Sequence, residues 1–217
     1  MGKVTAWSYT RWALYETCPR KFKFKVIDKL QEETSWAAER GNVLHAKAEQ
    51  MVRGKLKGIP KELKVFGHEL KELRKAKALT EVDLSVTRDW SPTTYDDWNN
   101  VWCRGNADAI VNLGEELVII DYKTGKIYDS HKDQAHLYAT QCMSHFPQCK
   151  TVLVEFWYFD QDGHVEPYKF RRAEQKQMQK YWEKAVKPMM SDVEFIPRPG
   201  NHCRWCQFAD QCPAGDQ

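Results

Sequence analysis

Leu117-Val118-Ile119-Ile120-Asp121-Tyr122-Lys123-Thr124-Gly125-Lys126 is the stretch on which the reading of this chain turns. Four consecutive apolar residues closed by a Thr-Gly turn predict a short buried strand. Residues two apart on a strand share a face, so Asp121 and Lys123 are expected side by side at its end. A carboxylate directly behind an apolar run is costly unless it is paired or binds something. The preceding strand, read from Trp102 to Val111 and turned by Asn112-Leu113-Gly114, carries Gly105-Asn106-Ala107-Asp108. Asp108 is therefore expected across the hairpin as a second carboxylate.

Magnesium and manganese prefer oxygen ligands and keep several waters, so two carboxylates with open positions suit them. With an amine alongside, the set suits metal-assisted phosphodiester hydrolysis. His45 lies four residues after Gly41 in a helix predicted over Trp36 to Val52. It is a candidate further ligand, with the glycine letting the helix approach the sheet. Gln134 and Tyr138 are four apart on a helix predicted over His131 to Ser144 and share a face. An amide and a phenol placed there could bind phosphate or a base edge.

The remaining pattern is mixed. Helices are predicted over Trp7 to Phe24, Lys61 to Leu79 and Ala173 to Met190. Strands are predicted over Glu81 to Thr87, Thr151 to Phe159 and Val165 to Phe170. This is an α/β chain of 217 residues, read as one domain over 1–217. Mean hydropathy is −0.69, and no apolar run approaches the ~20 residues of a bilayer span. Met1 to Tyr9 lacks the apolar core of a signal peptide, so a cytoplasmic location in a bacterial or phage-infected cell is expected. A net charge of +3 proves no nucleic-acid partner. Arg20, Lys21, Lys23 and Lys25, interleaved with Phe22 and Phe24, nevertheless form a segment suited to a phosphate backbone.

Seven cysteines without a secretory signal argue against a disulfide framework. Cys203, Cys206 and Cys212 supply three thiolates near the C-terminus, and Cys18, followed by Pro19, is a candidate fourth. Four thiolates fit a 4Fe-4S cluster or structural zinc, which spacing does not separate. Cys103, Cys142 and Cys149 fall inside strand and helix patterns and read as ordinary buried thiols.

These motifs together resemble the RecB-like branch of the PD-(D/E)xK nucleases. That branch includes the nuclease domains of the AddAB and RecBCD enzymes and the CRISPR-associated exonucleases of spacer acquisition. Tyr15-x2-Cys18-Pro19-x2-Phe22 is similar to its N-terminal signature, Gly41-x3-His45 to its G-x-x-x-H motif, and Gly105-x2-Asp108 to its G-x-x-D motif. Asp121-Tyr122-Lys123-Thr124-Gly125 and Gln134-x3-Tyr138 resemble its D-Y-K-T-G and Q-x-x-x-Y motifs. Position 106 is Asn where many relatives have Arg, and the third ligand is Asp121 rather than Glu.

The resemblance implies a restriction-endonuclease-like core, a mixed central β-sheet flanked by helices, with N- and C-terminal segments joined by a metal cluster. It implies divalent metal (Mg2+ or Mn2+) held by His45, Asp108, Asp121 and the Tyr122 carbonyl. Catalysis would fall to Asp108, Asp121 and Lys123, DNA guidance to Gln134 and Tyr138, and the iron–sulfur staple to Cys18, Cys203, Cys206 and Cys212. The expected activity is a metal-dependent DNA exonuclease acting on single strands or duplex ends in recombination, repair or CRISPR adaptation. DNA is the expected partner, with a second copy of the chain or recombination and CRISPR proteins as further candidates and no membrane. A non-catalytic, nuclease-like DNA-binding or assembly protein is the alternative. No Walker A pattern occurs, so no helicase motor is expected.

Overall fold

A computed structural model describes residues 4–215. The first three positions of the stretch read for a signal peptide lie outside them. The chain groups into two compact units, one of residues up to Thr34 with those from Lys180 onward, the other Ser35–Gln179.

In the terminal unit, α1 (Tyr9–Thr17) is capped by the Ser8 side chain, and Pro19 opens α2 (Pro19–Phe22). Proline is suited to that first helical position because its missing N–H would lack an intrahelical partner anyway. The expected helix from Trp7 to Phe24 is thus broken at Cys18, whose extended backbone separates the two pieces. Phe22 is fully buried against Tyr15 and Phe195. The basic segment is less open than its composition suggests. Lys21 lies 3.3 Å from Glu32, Lys23 lies 2.6 Å from Asp28, and Lys25 also pairs with Glu32. Those lysines are committed to neighbouring carboxylates, and Phe22 to the core.

The larger unit is a five-stranded sheet in sequential order: β1 (Leu79–Asp83), β2 (Asn106–Asn112), β3 (Glu116–Lys123), β4 (Thr151–Tyr158) and β5 (His164–Arg171). All neighbours are antiparallel except β3 and β4, which run parallel from Glu116↔Thr151 to Lys123↔Tyr158. A parallel pair needs a crossover. Here the helix expected from His131 provides it, His131–His145.

Helix α3 (Trp36–Val52) starts at Ser35, whose hydroxyl accepts the Ala38 N–H, with Glu39 in the positive first turn. Leu44, Ala48, Met51 and Val52 form its buried stripe. They cluster with Leu70 and Leu73 of α4 (Gly67–Lys75) and with Ile120, Tyr122 and Trp157 of the sheet. The expected helix over Lys61 to Leu79 is a 3-10 segment, Lys61–Phe66, followed by α4, and the first strand begins already at Leu79. On the opposite face, Ala135, Tyr138, Ala139 and Cys142 of α5 (His131–His145) pack on Leu117, Ile119, Val152, Val154 and Phe156. Both faces of β3 are therefore covered, which is why it reads as a continuous apolar run instead of an alternating one. Cys103, Cys142 and Cys149 are buried free thiols, as their patterns predict. No described helix is long and apolar enough to cross a membrane.

Candidate active site

The parallel β3–β4 pair and its crossover put three things at one end of the sheet: the C-terminus of β3, the C-terminus of β4 and the first turns of α5. In open α/β sheets ligands bind outside the carboxyl ends of strands. The residues singled out in the sequence collect there.

The strands β2 and β3 pair from Asn112↔Leu117 up to Ala109↔Ile120 and then part. Past that point the Tyr122 N–H donates to Asp108 Oδ2 at 2.6 Å, so a side chain takes the place of a strand carbonyl. The other Asp108 oxygen lies 3.1 Å from His45 Nδ1. Gly41 makes that approach possible, since a Cβ there would already be 3.3 Å from Thr124 Oγ1. Asp121 is 4% exposed. Its Oδ1 accepts from the Tyr138 hydroxyl at 2.7 Å and from Gln134 Nε2 at 3.3 Å. Its Oδ2 lies 2.6 Å from the Lys123 ammonium, in an ion pair without hydrogen-bond alignment, so this oxygen has no hydrogen-bond partner among the described residues. Lys123 Nζ donates to Gln134 Oε1 at 2.8 Å and stands 4.9 Å above the Phe156 ring. The Asn106 carbonyl, 3.0 Å from the Tyr138 hydroxyl, is the alternative acceptor for its one proton.

The electrostatics are unbalanced. Burial, together with the Asp121 charge, pushes the Asp108 carboxyl above the ordinary carboxylate range, although its bond to His45 works the other way. Burial alone would lower His45, yet the hydrogen bond and charge of Asp108 outweigh it and raise its pKa. Glu81, opposite Asp108 between the pairs Thr80↔Ala109 and Val82↔Ala107, is raised by burial and then by Asp108, despite a 2.6 Å bond from Asn106. Its φ of 52° is a strained value for a non-glycine residue. Crowded carboxyls whose pKa values are raised in this way mark a site short of positive charge.

Two carboxylates, an imidazole and a strand carbonyl are the donor types a hard cation takes, and Asp121 Oδ2, ion-paired with Lys123 but without a hydrogen bond, and the Tyr122 hydroxyl, without a hydrogen-bond partner among the described residues, fit an additional ligand or its waters. As placed, however, the oxygens are turned to His45, Tyr138 and Lys123. Among the described residues no group of three or more His, Cys, Asp or Glu is arranged to hold a metal ion. The same holds for the cysteines. Cys18, Cys203, Cys206 and Cys212 line one cavity of about 20 Å3 with Arg20, Lys21 and Arg198, all four as free thiols. The donor chemistry suits a four-thiolate group, whereas the sulfur atoms are not set in a ligand arrangement.

Sequence reasoning missed Phe156, the aromatic floor under Lys123, and His131, whose ring centroid lies 5.4 Å from that of Phe156. A usable signal was present: His131 stands three residues before Gln134 and seven before Tyr138, on the same helix face.

A family model described as the PD-(D/E)XK nuclease superfamily matches residues 6–98 and 63–213. The chain belongs to that superfamily. Among solved structures it is similar to SSO0001, with a TM-score of 0.54 and 18% identity over 99% of this chain and 89% of the other. It is also similar to an exonuclease candidate from Eubacterium rectale, with a TM-score of 0.53 and 11% identity over 94% and 87% of the two chains. At such identities the likeness shows the fold. No curated protein matches the chain in sequence.

Proposed function

We propose that this nuclease is a magnesium- or manganese-dependent DNA exonuclease of the RecB-like branch, acting on single strands or duplex ends. The observation that carries the reading is the meeting of Asp108, Asp121 and Lys123 at one strand end, with Gln134 and Tyr138 behind them. His45, Asp108, Asp121 and the Tyr122 carbonyl would hold the cation, which supplies Lewis-acid polarisation of the phosphate and a more acidic water.

The chain's own residues do the rest. Lys123, steadied by Gln134 and Phe156, places a positive charge where the phosphate gains negative charge in the transition state. Tyr138 and Gln134 fix the Asp121 carboxylate through Oδ1, which leaves Oδ2 to its ion pair with Lys123 and free of hydrogen bonds among the described residues. Asp108, tied to the Tyr122 N–H, keeps β2 and β3 apart at the site. Cys18, Cys203, Cys206 and Cys212 would hold a 4Fe-4S cluster as a structural staple, zinc being the alternative.

Asp121→Ala and Lys123→Ala are expected to abolish manganese-dependent digestion of end-labelled linear DNA while the melting temperature stays cooperative. Undiminished digestion by both variants refutes the assignment. A circular single strand in the same assay separates exonuclease from endonuclease action. Anaerobic preparations should contain iron and acid-labile sulfide, both lost in Cys203→Ser; a zinc-bearing, colourless preparation overturns the cluster.

A further inference from the structure

His131 is placed as a reactive group and has no part in the function described so far. Its Nδ1 is hydrogen-bonded to the Tyr158 hydroxyl on β4. Tyr158 in turn donates to Glu166 Oε2 at 3.3 Å, and Tyr168 donates to Glu166 Oε1 at 2.7 Å. A carboxylate only accepts, so the single Tyr158 proton is directed to Glu166 and the phenol oxygen accepts Nδ1–H of the imidazole. That tautomer leaves Nε2 as a bare lone pair. It has no hydrogen-bond partner among the described residues. Phe156, the ring that Lys123 Nζ also approaches at 4.9 Å, packs against the imidazole, and Tyr128 packs edge-on at 5.6 Å from the preceding turn.

We propose that His131 is a catalytic residue of this site, the general base whose Nε2 accepts the proton of the attacking water, with Tyr158 and Glu166 orienting it. The proposal rests on the nuclease reading above and adds a residue to it. As the water oxygen bonds to phosphorus, its O–H proton passes to Nε2. The P–O bond to the departing nucleotide breaks with its electron pair on oxygen, which takes a proton from solvent. The imidazolium, its Nδ1–H held by Tyr158, then returns the extra proton to solvent.

The division of labour follows from charge. Lys123 is an ammonium paired with Asp121 at 2.6 Å and has no lone pair to offer. His131 is kept below the ordinary imidazole range by burial and then by the Lys123 charge, while Asp121 and Glu166 pull the other way. It is therefore neutral, and able to accept a proton, at pH 7. The groups that set its titration are Lys123 and Asp121 on β3, Tyr158 on β4 and Glu166 on β5. A carboxylate–phenol–imidazole chain of this kind orients a base in the same sense as the third member of a hydrolase triad.

The test uses the full metal-loaded chain. His131→Gln keeps a polar side chain but cannot take up a proton. It is expected to lower kcat by about 10²–10⁴-fold, the usual contribution of a positioned base. Oligonucleotide binding by fluorescence anisotropy, with calcium replacing the catalytic cation, should be unchanged. The acidic limb of the wild-type pH–rate profile should disappear in His131→Gln, and Tyr158→Phe should displace that limb. Free imidazole should partly restore His131→Ala. Near-wild-type kcat in His131→Gln, or an acidic limb that survives in it, overturns the base assignment. If wild-type protein cuts DNA and depends on Asp121 and Lys123 while His131→Gln cuts equally well, only the role of His131 falls. If the wild-type protein cuts no DNA, the nuclease reading falls and takes this inference with it.

Discussion

Tyr138→Phe removes one oxygen atom from the centre of the site, and the structure fixes what that costs. The hydroxyl is buried, donates its one proton to Asp121 Oδ1 at 2.7 Å, stands 3.0 Å from the Asn106 carbonyl as a longer, alternative acceptor, and accepts from Gln134 Nε2 at 3.2 Å. Without it, Oδ1 retains only the longer Gln134 bond at 3.3 Å. A hydrogen bond to a charged group contributes about 1.5–3 kcal/mol, and leaving its partner buried and unsatisfied places the loss in that range. For a chain of this length each kcal/mol moves the melting temperature by about 2–4 °C, so a fall of about 3–12 °C is expected.

If Asp121 ligates a metal as proposed, activity should fall as well, because partners behind a metal-ligating carboxylate are typically worth about 10–100-fold. Calorimetry and initial cleavage rates under saturating manganese measure the two effects on one preparation. A phenylalanine variant that melts with the wild-type protein and cuts DNA at the same rate would refute the claim that Tyr138 holds Asp121.

Other perturbations read other parts of the design. Gly105→Ala would bring a Cβ to 2.7 Å from Nε2 of the fully buried Gln141, an overpacking that costs about 1–3 kcal/mol and should lower the urea midpoint. An unchanged midpoint would mean that Gln141 can move aside. Arg172→Met removes donors to the carbonyls of Met143 at 3.1 Å, Phe146 at 2.6 Å and Cys149, so amide exchange in the last turn of α5 should accelerate by well over the change in α3. Equal acceleration in both helices would show that Arg172 acts globally. His131 and His136 are both held below the ordinary imidazole range by burial, so their folded forms favour neutrality. Stability from such groups is complete above about pH 6.5 and is lost as pH falls through their folded values. Urea midpoints should drop less between pH 7 and pH 5 in His131→Gln than in the wild-type protein, and an equal drop in both would count against the burial of His131.

Much of this site was legible in the one-dimensional pattern, for a physical reason. The apolar run before Asp121 had to be a strand covered on both faces, and a strand's period of two put Lys123 beside that carboxylate. Helical spacing likewise tied Gln134 to Tyr138, and the glycine at 41 marked where α3 and the turn at Thr124 come close. What stayed hidden depended on through-space partners. Nothing in the spacing shows that Asp108 would replace a strand carbonyl for Tyr122, or that Glu81 would stand opposite it in a left-handed conformation. Composition likewise does not reveal that Asp28 and Glu32 sit against the lysines of the basic run near Phe22. His131 was overlooked because its orienting partners, Tyr158 and Glu166, lie on two later strands.

The position of the site follows from one topological choice. Within the five-stranded sheet only the β3–β4 pair is parallel, so the chain must leave β3 at Lys123 and return through α5, which begins beside the strand end it has just left. A crossover of that kind gives the first turns of the helix direct access to the last residues of the strand, and His131, Gln134 and Tyr138 occupy those turns. An antiparallel connection would have returned the chain by a tight turn and left Asp121 with no helix to brace it. Burial and neighbouring negative charge push the Asp108 and Glu81 carboxyls above the ordinary carboxylate range. Relief comes from whatever positive charge arrives. The same crowding that makes the site costly to fold therefore favours any group that brings positive charge to it.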